Sequence, residues 1–258
     1  MKIPTFISGL FLPILRCILT PLPGFRLLLI KLCVILEEDR APKESLRWLF
    51  TVHAFTEAWI DRKAIAWGDG IHIKHTIMDG IHTFFCDRIP VNAKVLDVGC
   101  GIGALANEIA QSVDGVRVIG IDSNSDHIQF AKERYTCRNL AFIEGDATRD
   151  LPESPIDIVV LSSVLEHVVE RVQLLEQLSE IYKPICFLIR VPAFERHFHA
   201  AMKRELGVFP YVDQDHKVEY TMSQFTDEIE SAGLTIASIE TRWGDIWAEC
   251  QPFDKHLV

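Results

Sequence analysis

The chain has 258 residues, a formal net charge of −10 at pH 7, and hydrophobic residues at 48% of its positions. This length suits one large α/β domain with an attachment, and the negative charge argues against passive nucleic-acid binding, which needs clustered Lys and Arg. The seven cysteines form no CxxC pair, so we expect neither a disulfide framework nor a zinc site, and a reducing cytoplasm is the predicted location.

Residues 1–40 form an apolar, basic segment that differs from the rest of the chain. Residues 1–36 contain no acid and four basic residues, Lys2, Arg16, Arg26 and Lys31. A Pro- and Gly-containing turn at residues 21–24 separates two apolar runs, and neither suits a helix that crosses a bilayer. We predict an interfacial anchor, peripheral on the inner face of a membrane, whose basic side chains reach anionic lipid. The alternative is that this segment covers an apolar surface of the same protein or of a second subunit.

Residues 41–92 are predicted to be a helical preface to the core. Apolar residues at helical spacing predict one amphipathic helix over residues 45–68. After the turn at Asp69 and Gly70, a second helical stretch, "HIKHTIMDGIHTFFCDRI", leads to Pro90. It contains three histidines, which we interpret as ordinary surface residues of a helix and, as the alternative, as metal ligands: His72, His75 and His82.

From residue 93 the chain alternates short β-rich runs with helical ones. "KVLDV", "VRVIGID", "LAFIEGD", "IDIVVLSSV" and "ICFLIRVPA" are predicted strands, and helical patterns follow most of them. This alternation predicts a doubly wound parallel sheet with helices on both faces. Ser123 or Ser125 is the predicted cap of the second helix, and Thr221 with Gln224 is spaced as a capping box. An irregular insert is expected near residues 194–220, and the last two strands are predicted to form an antiparallel hairpin.

The stretch "VLDVGCGIGALANEIA" after the first strand fits two glycine motifs. Gly99, Gly101 and Ala104 match G-x-G-x-x-G/A, which binds the pyrophosphate of a dinucleotide at a helix N-terminus. Gly99, Gly101 and Gly103, with Asp97 two residues ahead, match the acid-x-G-x-G-x-G pattern of proteins that bind S-adenosylmethionine. In both motifs the glycines let backbone approach ligand closely, so they do not distinguish the two ligands.

Three acids decide between these ligands. Asp97, Asp122 and Asp146 stand at the ends of the first three predicted strands, which face the crevice where open parallel sheets bind ligands. A pyrophosphate beside Asp97 would be repelled, whereas a cationic cofactor without phosphate would be attracted. The alternative is that each Asp only caps the helix that follows it.

From Lys94 to Cys250 the sequence resembles the class I S-adenosylmethionine-dependent methyltransferases, through "VLDVGCGIGALA", "VIGIDSNSDHIQFAKER", "FIEGDATR", "IDIVVLSSVLEHV" and the closing strand pair that ends "IWAEC". The resemblance implies a Rossmann-like, seven-stranded, mostly parallel sheet with an antiparallel last strand. It also implies that Asp122 accepts from the ribose, that Asp146 and Ala147 meet the adenine, and that Ser162 contacts the methionine portion. The predicted set for the cofactor S-adenosyl-L-methionine is Asp97, Gly99, Gly101, Gly103, Asp122, Ser123, Asp146, Ala147 and Ser162.

The substrate side is predicted from "SSVLEHV" and from the insert after the fifth strand. His167 is the first candidate for the base that deprotonates a hydroxyl acceptor, with a pocket-shaping histidine as the alternative. His216 is the second catalytic candidate, and Glu166, His197 and Tyr220 are candidate substrate contacts. The insert forms a predicted substrate lid, with a metal site as the alternative, through Arg196, His197, His199, Asp213, Asp215, His216, Glu219 and Tyr220.

Together these patterns predict an S-adenosylmethionine-dependent methyltransferase that acts on a small or lipid-linked acceptor, by in-line transfer to oxygen. No nucleic-acid partner is expected. Two other hypotheses stay open at this point: a dinucleotide-dependent oxidoreductase of the NAD type, and a scaffold that binds the cofactor without activity.

Overall fold

The computed structural model describes residues 23–78 and 80–253. The chain divides into two compact units, Met1–His53 and Ala54–Val258. The predicted divisions near residues 40 and 92 stay predictions. The predictions made for residues 1–22 lie outside the described residues.

In the first unit, the second apolar run of the sequence forms helix α1 (Pro23–Ile35). Helix α2 (Pro42–Trp67) begins in this unit and ends in the second. The large apolar side chains of α1 from residue 27 onward are exposed, namely Leu27, Leu28, Leu29, Ile30, Leu32, Val34 and Ile35. Among the described helices, none has both the length and the apolar character needed to cross a bilayer.

The second predicted helical stretch of the preface is broken in two. Helix α3 (Lys74–Ile77) and helix α4 (Thr83–Cys86) are each four residues long. Between them Gly80 has a φ of +78°, a left-handed conformation that an α-helix excludes and that glycine adopts without a Cβ penalty. The prediction of one continuous helix here is therefore wrong.

The core of the second unit is a seven-stranded sheet with the order β3-β2-β1-β4-β5-β7-β6. Strand β7 is antiparallel to both of its neighbours, and the other neighbouring pairs are parallel. This confirms the predicted doubly wound sheet and its closing antiparallel hairpin. The strands are β1 (Lys94–Val98), β2 (Arg117–Asp122), β3 (Leu140–Glu144), β4 (Ile158–Ser162), β5 (Cys186–Pro192), β6 (Leu234–Arg242) and β7 (Asp245–Pro252).

Helices cover both faces of the sheet, and side chains cap the N-termini of three of them. They are α5 (Ala104–Ser112), α6 (Ser125–Arg134), α7 (Arg171–Tyr182), α8 (Phe198–Glu205) and α9 (Met222–Ser231). The cap of α6 is Asn124, not the predicted Ser123 or Ser125, because its side chain accepts from two backbone N–H groups of the first turn. The capping box of Thr221 and Gln224 is present as predicted. The insert contains α8, so it is not wholly irregular.

The sheet places its ligand-binding edge at the carboxyl ends of β1 and β4. The chain runs from β1 outward through β2 to β3 and then returns to pair β4 with the other side of β1. Open α/β sheets bind ligands in the crevice at such a switch point. Residues of β1 and β4 alternate between two buried clusters, one on each face of the sheet. Both faces are therefore packed, and the crevice at the edge is the part of these strands left to bind a ligand.

Candidate functional site

The glycine-rich loop joins β1 to α5 and leaves open space at its centre. Gly101 has a φ of +53°, and a Cβ built on it would meet no atom within 4 Å. A Cβ on Gly103 would instead lie 2.5 Å from the ring of Phe142. Packing against Phe142 therefore requires a glycine at position 103. At Gly101 the space next to the backbone is open, so a side chain would fill it and a ligand can occupy it.

Asp122, the last residue of β2, holds this loop in place. Its Oδ2 accepts from the backbone N–H of Gly101 at 2.8 Å, and its Oδ1 accepts from the N–H of Asn124 at 2.8 Å. A carboxylate offers about four acceptor positions, so hydrogen bonds from ribose hydroxyls remain compatible with these contacts. The role of Asp122 toward the ribose stays a prediction.

Asp97 is a buried acid without a hydrogen-bond partner on one oxygen. Its side chain is 2% exposed, and Oδ2 makes no hydrogen bond. Burial, together with the nearby charge of Asp122, raises the pKa of Asp97 to about 8. Such a group is satisfied by a cation, and the ammonium group of S-adenosylmethionine is one that fits.

Asp146 is engaged by its own turn. Its Oδ1 accepts from the backbone N–H and the hydroxyl of Thr148 at 2.9 and 2.7 Å, and its Oδ2 accepts from Arg149 at 2.9 Å. The hydrogen bonds from Thr148 lower the pKa of Asp146. Its predicted contact with adenine is untested, as are those of Ala147, Ser123 and Ser162.

The "LEH" segment after β4 forms a separate 3-10 turn, Leu165–His167, and not the start of α7. Glu166 in this turn is 1% exposed, and its Oε2 has no hydrogen-bond partner. Burial raises the pKa of Glu166 to about 7. The backbone carbonyl of Glu166 accepts from the N–H of Lys217 at 2.7 Å, which ties the insert to this turn.

The turn and the insert bring two imidazoles together. The ring centroids of His167 and His216 lie 4.8 Å apart, and His167 Nδ1 lies 3.5 Å from Asp215 Oδ2. Glu166, His167 and His216 each offer one potential metal-ligand atom, and these three atoms lie within 4.8 Å of one another. Burial and the adjacent His216 lower the pKa of His167, so its imidazole is neutral at pH 7. We call these three residues the Glu-His-His cluster.

Glu219 orients one member of this cluster, a role that the sequence did not reveal. Its side chain is fully buried, and its Oε1 lies 3.0 Å from His216 Nδ1 and accepts from the N–H of Val212 at 2.8 Å. Its Oε2 pairs with Arg196. The only sequence signal for this contact was the i, i+3 spacing of His216 and Glu219. That spacing brings two side chains together only where the chain forms a turn.

Two predicted substrate contacts have structural partners instead. Tyr220 is 1% exposed, and its hydroxyl donates to Glu228 at 2.5 Å. Glu228 in turn pairs with Arg171, so Tyr220 belongs to the core, and we leave it out of the proposed substrate site. His197 is exposed and caps α8, where its Nδ1 accepts from the N–H of His199 at 3.2 Å.

The histidines of the preface are partly buried, contrary to the surface positions we predicted. His75 Nδ1 lies 3.0 Å from His82 Nε2, and burial together with His82 lowers the pKa of His75 to about 3. His72 precedes α3 and accepts from the N–H of Lys74 at 3.1 Å. His75 and His82 line a cavity of about 600 Å³ that also contacts the first turns of α5.

A buried ion pair that the sequence did not indicate lies at the same edge of the sheet. Arg190 of β5 stands beside Ser162 of β4 in register, and its Nη2 lies 2.7 Å from Asp245 Oδ2 of β7. The guanidinium group of Arg190 lies 5.0 Å from the ring centre of Trp247. A charged residue within the apolar run "CFLIRVP" was the only sequence signal.

Comparisons with known proteins identify the family. The model of a methyltransferase domain family matches residues 89–227, which is more than half of the chain. The chain is 28% identical over 152 residues to a ubiquinone biosynthesis O-methyltransferase of Pseudoalteromonas translucida, covering 55% of this chain and 64% of that protein. It is 31% identical over 120 residues to a fatty-acid O-methyltransferase of Mycolicibacterium smegmatis, covering 45% and 43%. The matches thus span less than two thirds of the length of either relative.

Among solved structures, the fold is similar to that of an O-methyltransferase from neocarzinostatin biosynthesis, solved with S-adenosyl-L-homocysteine and 1,4-dihydroxy-2-naphthoic acid. The TM-score is 0.55 at 16% identity, covering 70% of this chain and 55% of that chain. The family match decides against the dinucleotide-dependent oxidoreductase hypothesis. The chain belongs to the methyltransferase domain family.

Proposed function

We propose that this methyltransferase transfers the methyl group to a hydroxyl oxygen of a small or lipid-linked acceptor. The observation that carries the proposal is the Glu-His-His cluster, in which Glu166 and His167 follow β4, next to the glycine-rich loop, and His216 comes from the insert after β5. A Cβ on Gly99 would lie 2.7 Å from Val164, the residue that precedes the "LEH" turn. An acceptor held by the cluster would therefore be close to a cofactor on the loop.

In this proposal, different residues contact different parts of the cationic cofactor. Asp97 receives the ammonium group, and Asp122 accepts from the ribose hydroxyls. Asp146 and Ala147 meet the adenine, while Ser123 and Ser162 border the ribose and the methionine portion. Gly99, Gly101 and Gly103 let the backbone approach the ligand closely, with Gly101 facing the open space that such a ligand needs.

The cluster activates the acceptor hydroxyl. Methyl transfer is an in-line substitution at carbon, so the oxygen must lie about 3 Å from the methyl group, opposite the sulfur, and must lose its proton. His167 and His216 are the residues we assign to this activation, with Glu166 as an acceptor-side contact. Two relatives named as O-methyltransferases support oxygen as the atom methylated.

The direct test is incubation of the purified protein with methyl-labelled S-adenosylmethionine and fractionated lipid and aqueous extracts of the source cells. We expect label in a small or lipid-soluble product whose methyl group is bonded to oxygen. Label only in RNA, in protein, or on nitrogen would contradict the proposal. His167→Gln and His216→Gln should lower kcat for the identified acceptor while leaving the affinity for S-adenosylhomocysteine unchanged.

We propose further that α1 lies in the headgroup region of an anionic membrane, as an anchor for a hydrophobic acceptor. Its exposed leucines provide apolar area, and Lys31 provides positive charge in a helix that has no acid in its first turn. Co-sedimentation with anionic vesicles tests this. The double variant Leu32→Asp with Leu36→Asp should reduce binding strongly, whereas Val91→Asp, at an exposed site in the other unit, should not. Equal binding by both variants would refute the anchor.

A further inference from the structure

The Glu-His-His cluster has the composition and geometry of a metal site. We propose that Glu166, His167 and His216 bind one divalent cation of the first transition row, such as Mn²⁺, Co²⁺ or Zn²⁺, which coordinates the acceptor hydroxyl. The inference rests on the proposed function, because it specifies how the cluster activates that hydroxyl. Among the described residues, this is the group in which three such ligand atoms come together.

The spacing of the three ligand atoms suits one small cation. They lie within 4.8 Å of one another. Metal bonds to histidine nitrogen and carboxylate oxygen are about 2.0–2.2 Å long, so two ligands on opposite sides of one ion are separated by about 4.2 Å. The limit of 4.8 Å on their separations is about 0.6 Å above this value, so side-chain rotations must draw the atoms closer for one ion to contact all three. Two imidazoles and one carboxylate are a ligand set that first-row divalent metals accept.

Two polar atoms of the cluster lack hydrogen-bond partners, and a bound cation would supply the missing interaction. Glu166 Oε2 is buried without a hydrogen-bond partner, and the buried Nδ1 of His167 makes no hydrogen bond, with its carboxylate neighbour Asp215 Oδ2 3.5 Å away. A buried carboxylate without a partner costs several kcal/mol if it remains charged, on the order of the penalty for any unpaired buried ion. Glu166 is 1% exposed, so bulk solvent does not reach its carboxylate.

The ring nitrogen of His216 that faces away from the proposed metal makes the contact that a metal-binding histidine requires. Its Nδ1 lies 3.0 Å from Glu219 Oε1, so Nδ1 donates to this carboxylate and Nε2 is left as the ligand atom. Metal-bound histidines almost always donate their other N–H to a carboxylate, a carbonyl or water, and loss of that partner lowers metal affinity about 10–100-fold. Glu219 is itself fixed by Arg196 and by the N–H of Val212. Glu219 is therefore a positioning residue of this site.

The cation gives the activation step a defined form. It coordinates the acceptor oxygen and lowers the pKa of the hydroxyl, as bound metals do for water. The O–H bond breaks, and its proton passes to the carboxylate of Asp215, which is exposed to water. The O–CH3 bond forms as the S–CH3 bond breaks, and the sulfonium becomes a neutral thioether. No electron is gained or lost, and the imidazoles are ligands and not proton acceptors.

The test is titration of the full-length, chelator-treated protein with Mn²⁺ alone, followed by electron paramagnetic resonance. We expect one saturable site per chain. Glu166→Gln and His216→Gln should weaken Mn²⁺ binding at least tenfold, and Glu219→Gln should weaken it about 10–100-fold. His53→Gln, at an exposed histidine of α2, is the matched control and should bind as the unaltered protein does. Retained binding of S-adenosylhomocysteine, measured by calorimetry, shows that each variant is folded.

Saturable binding that the cluster variants lose and the control keeps supports the inference, whether or not an acceptor has been found. Absence of saturable binding, or equal binding by the cluster variants and the control, overturns it. Full methyl transfer by chelator-treated protein also overturns it, and in that case the proposed O-methylation stands with an imidazole as the base. Metal binding without transfer to any hydroxyl contradicts the proposed function and leaves the metal site in place.

Discussion

The buried Asp97 predicts that cofactor binding and proton release are linked. The pKa of Asp97 in the ligand-free protein is about 8, because the carboxyl is buried and lies near Asp122. Below pH 8 the carboxyl is therefore protonated before the ligand arrives. An ammonium group placed beside it favours the ionised form, so binding must expel that proton. Affinity is expected to increase as the pH rises toward 8.

The size of the effect follows from the linkage. Each pH unit below the ligand-free pKa costs a factor of ten in affinity, as long as the pKa in the complex is lower still. Between pH 6 and pH 8 the dissociation constant of S-adenosylhomocysteine should fall up to about 50-fold, which is about 2.3 kcal/mol. This ligand has the same ammonium group as the cofactor and does not react, so binding can be measured without turnover.

Isothermal titration calorimetry in buffers of different ionisation enthalpy measures both quantities. The protein should release about one proton per ligand bound near pH 6.5. Asp97→Asn cannot release this proton, so its binding should be weaker and nearly independent of pH in the same range. Equal affinity at pH 6 and pH 8, or the same slope in Asp97→Asn, would refute the assignment of Asp97 to the ammonium group.

The same carboxyl should make the ligand-free protein less stable as the pH rises. Between about pH 4 and pH 8 the folded protein holds the Asp97 proton and the unfolded chain does not, so the folded state binds more protons. The free energy of unfolding should therefore fall with rising pH, by up to about 1.4 kcal/mol per unit from this group. Chemical denaturation across this range should show a shallower fall for Asp97→Asn. A slope unchanged by the substitution would contradict the burial of the charge.

Three further substitutions separate structural from ligand-binding roles. Gly101→Ala should lower affinity for S-adenosylhomocysteine at least tenfold at a cost of about 1–2 kcal/mol in stability, because the Cβ fills open space at a positive φ. Gly103→Ala should mainly destabilise the fold, since its Cβ would overlap Phe142, and thermal melts with binding titrations compare the two. Tyr220→Phe should lower the free energy of unfolding by about 1–3 kcal/mol, through loss of the bond to Glu228, and leave kcat within twofold. A large loss of kcat would return Tyr220 to the substrate site.

Local patterns were sufficient to predict most of the fold. Apolar runs separated by helical segments set the order of strands and helices, and the capping box at Thr221 marked the start of α9. The errors arose where one residue's backbone conformation decides the outcome. Gly80 breaks the preface helix through its positive φ, and Asn124 caps α6 in place of its serine neighbours. Propensity alone does not reveal either choice.

The site was predicted in part because strand ends are recognisable in sequence, whereas contacts between distant segments are not. Asp97 and Asp122 were identified because each ends a predicted strand. His167 lies next to His216 only because the insert folds back over the "LEH" turn. The contact of His216 with Glu219 depends on the same fold of the insert. That path is set by long-range contacts such as the bond from Lys217 to the carbonyl of Glu166. No local pattern encodes it.

We propose that an S-adenosylmethionine site at the carboxyl edge of β1 serves a hydroxyl acceptor held by Glu166, His167 and His216. The most direct test is product analysis after incubation with methyl-labelled S-adenosylmethionine and cell extracts. We expect a labelled O-methyl product whose formation is lost in both Asp97→Asn and His216→Gln and kept in His53→Gln. A labelled product formed equally by His216→Gln, or one methylated at nitrogen or carbon, would contradict it.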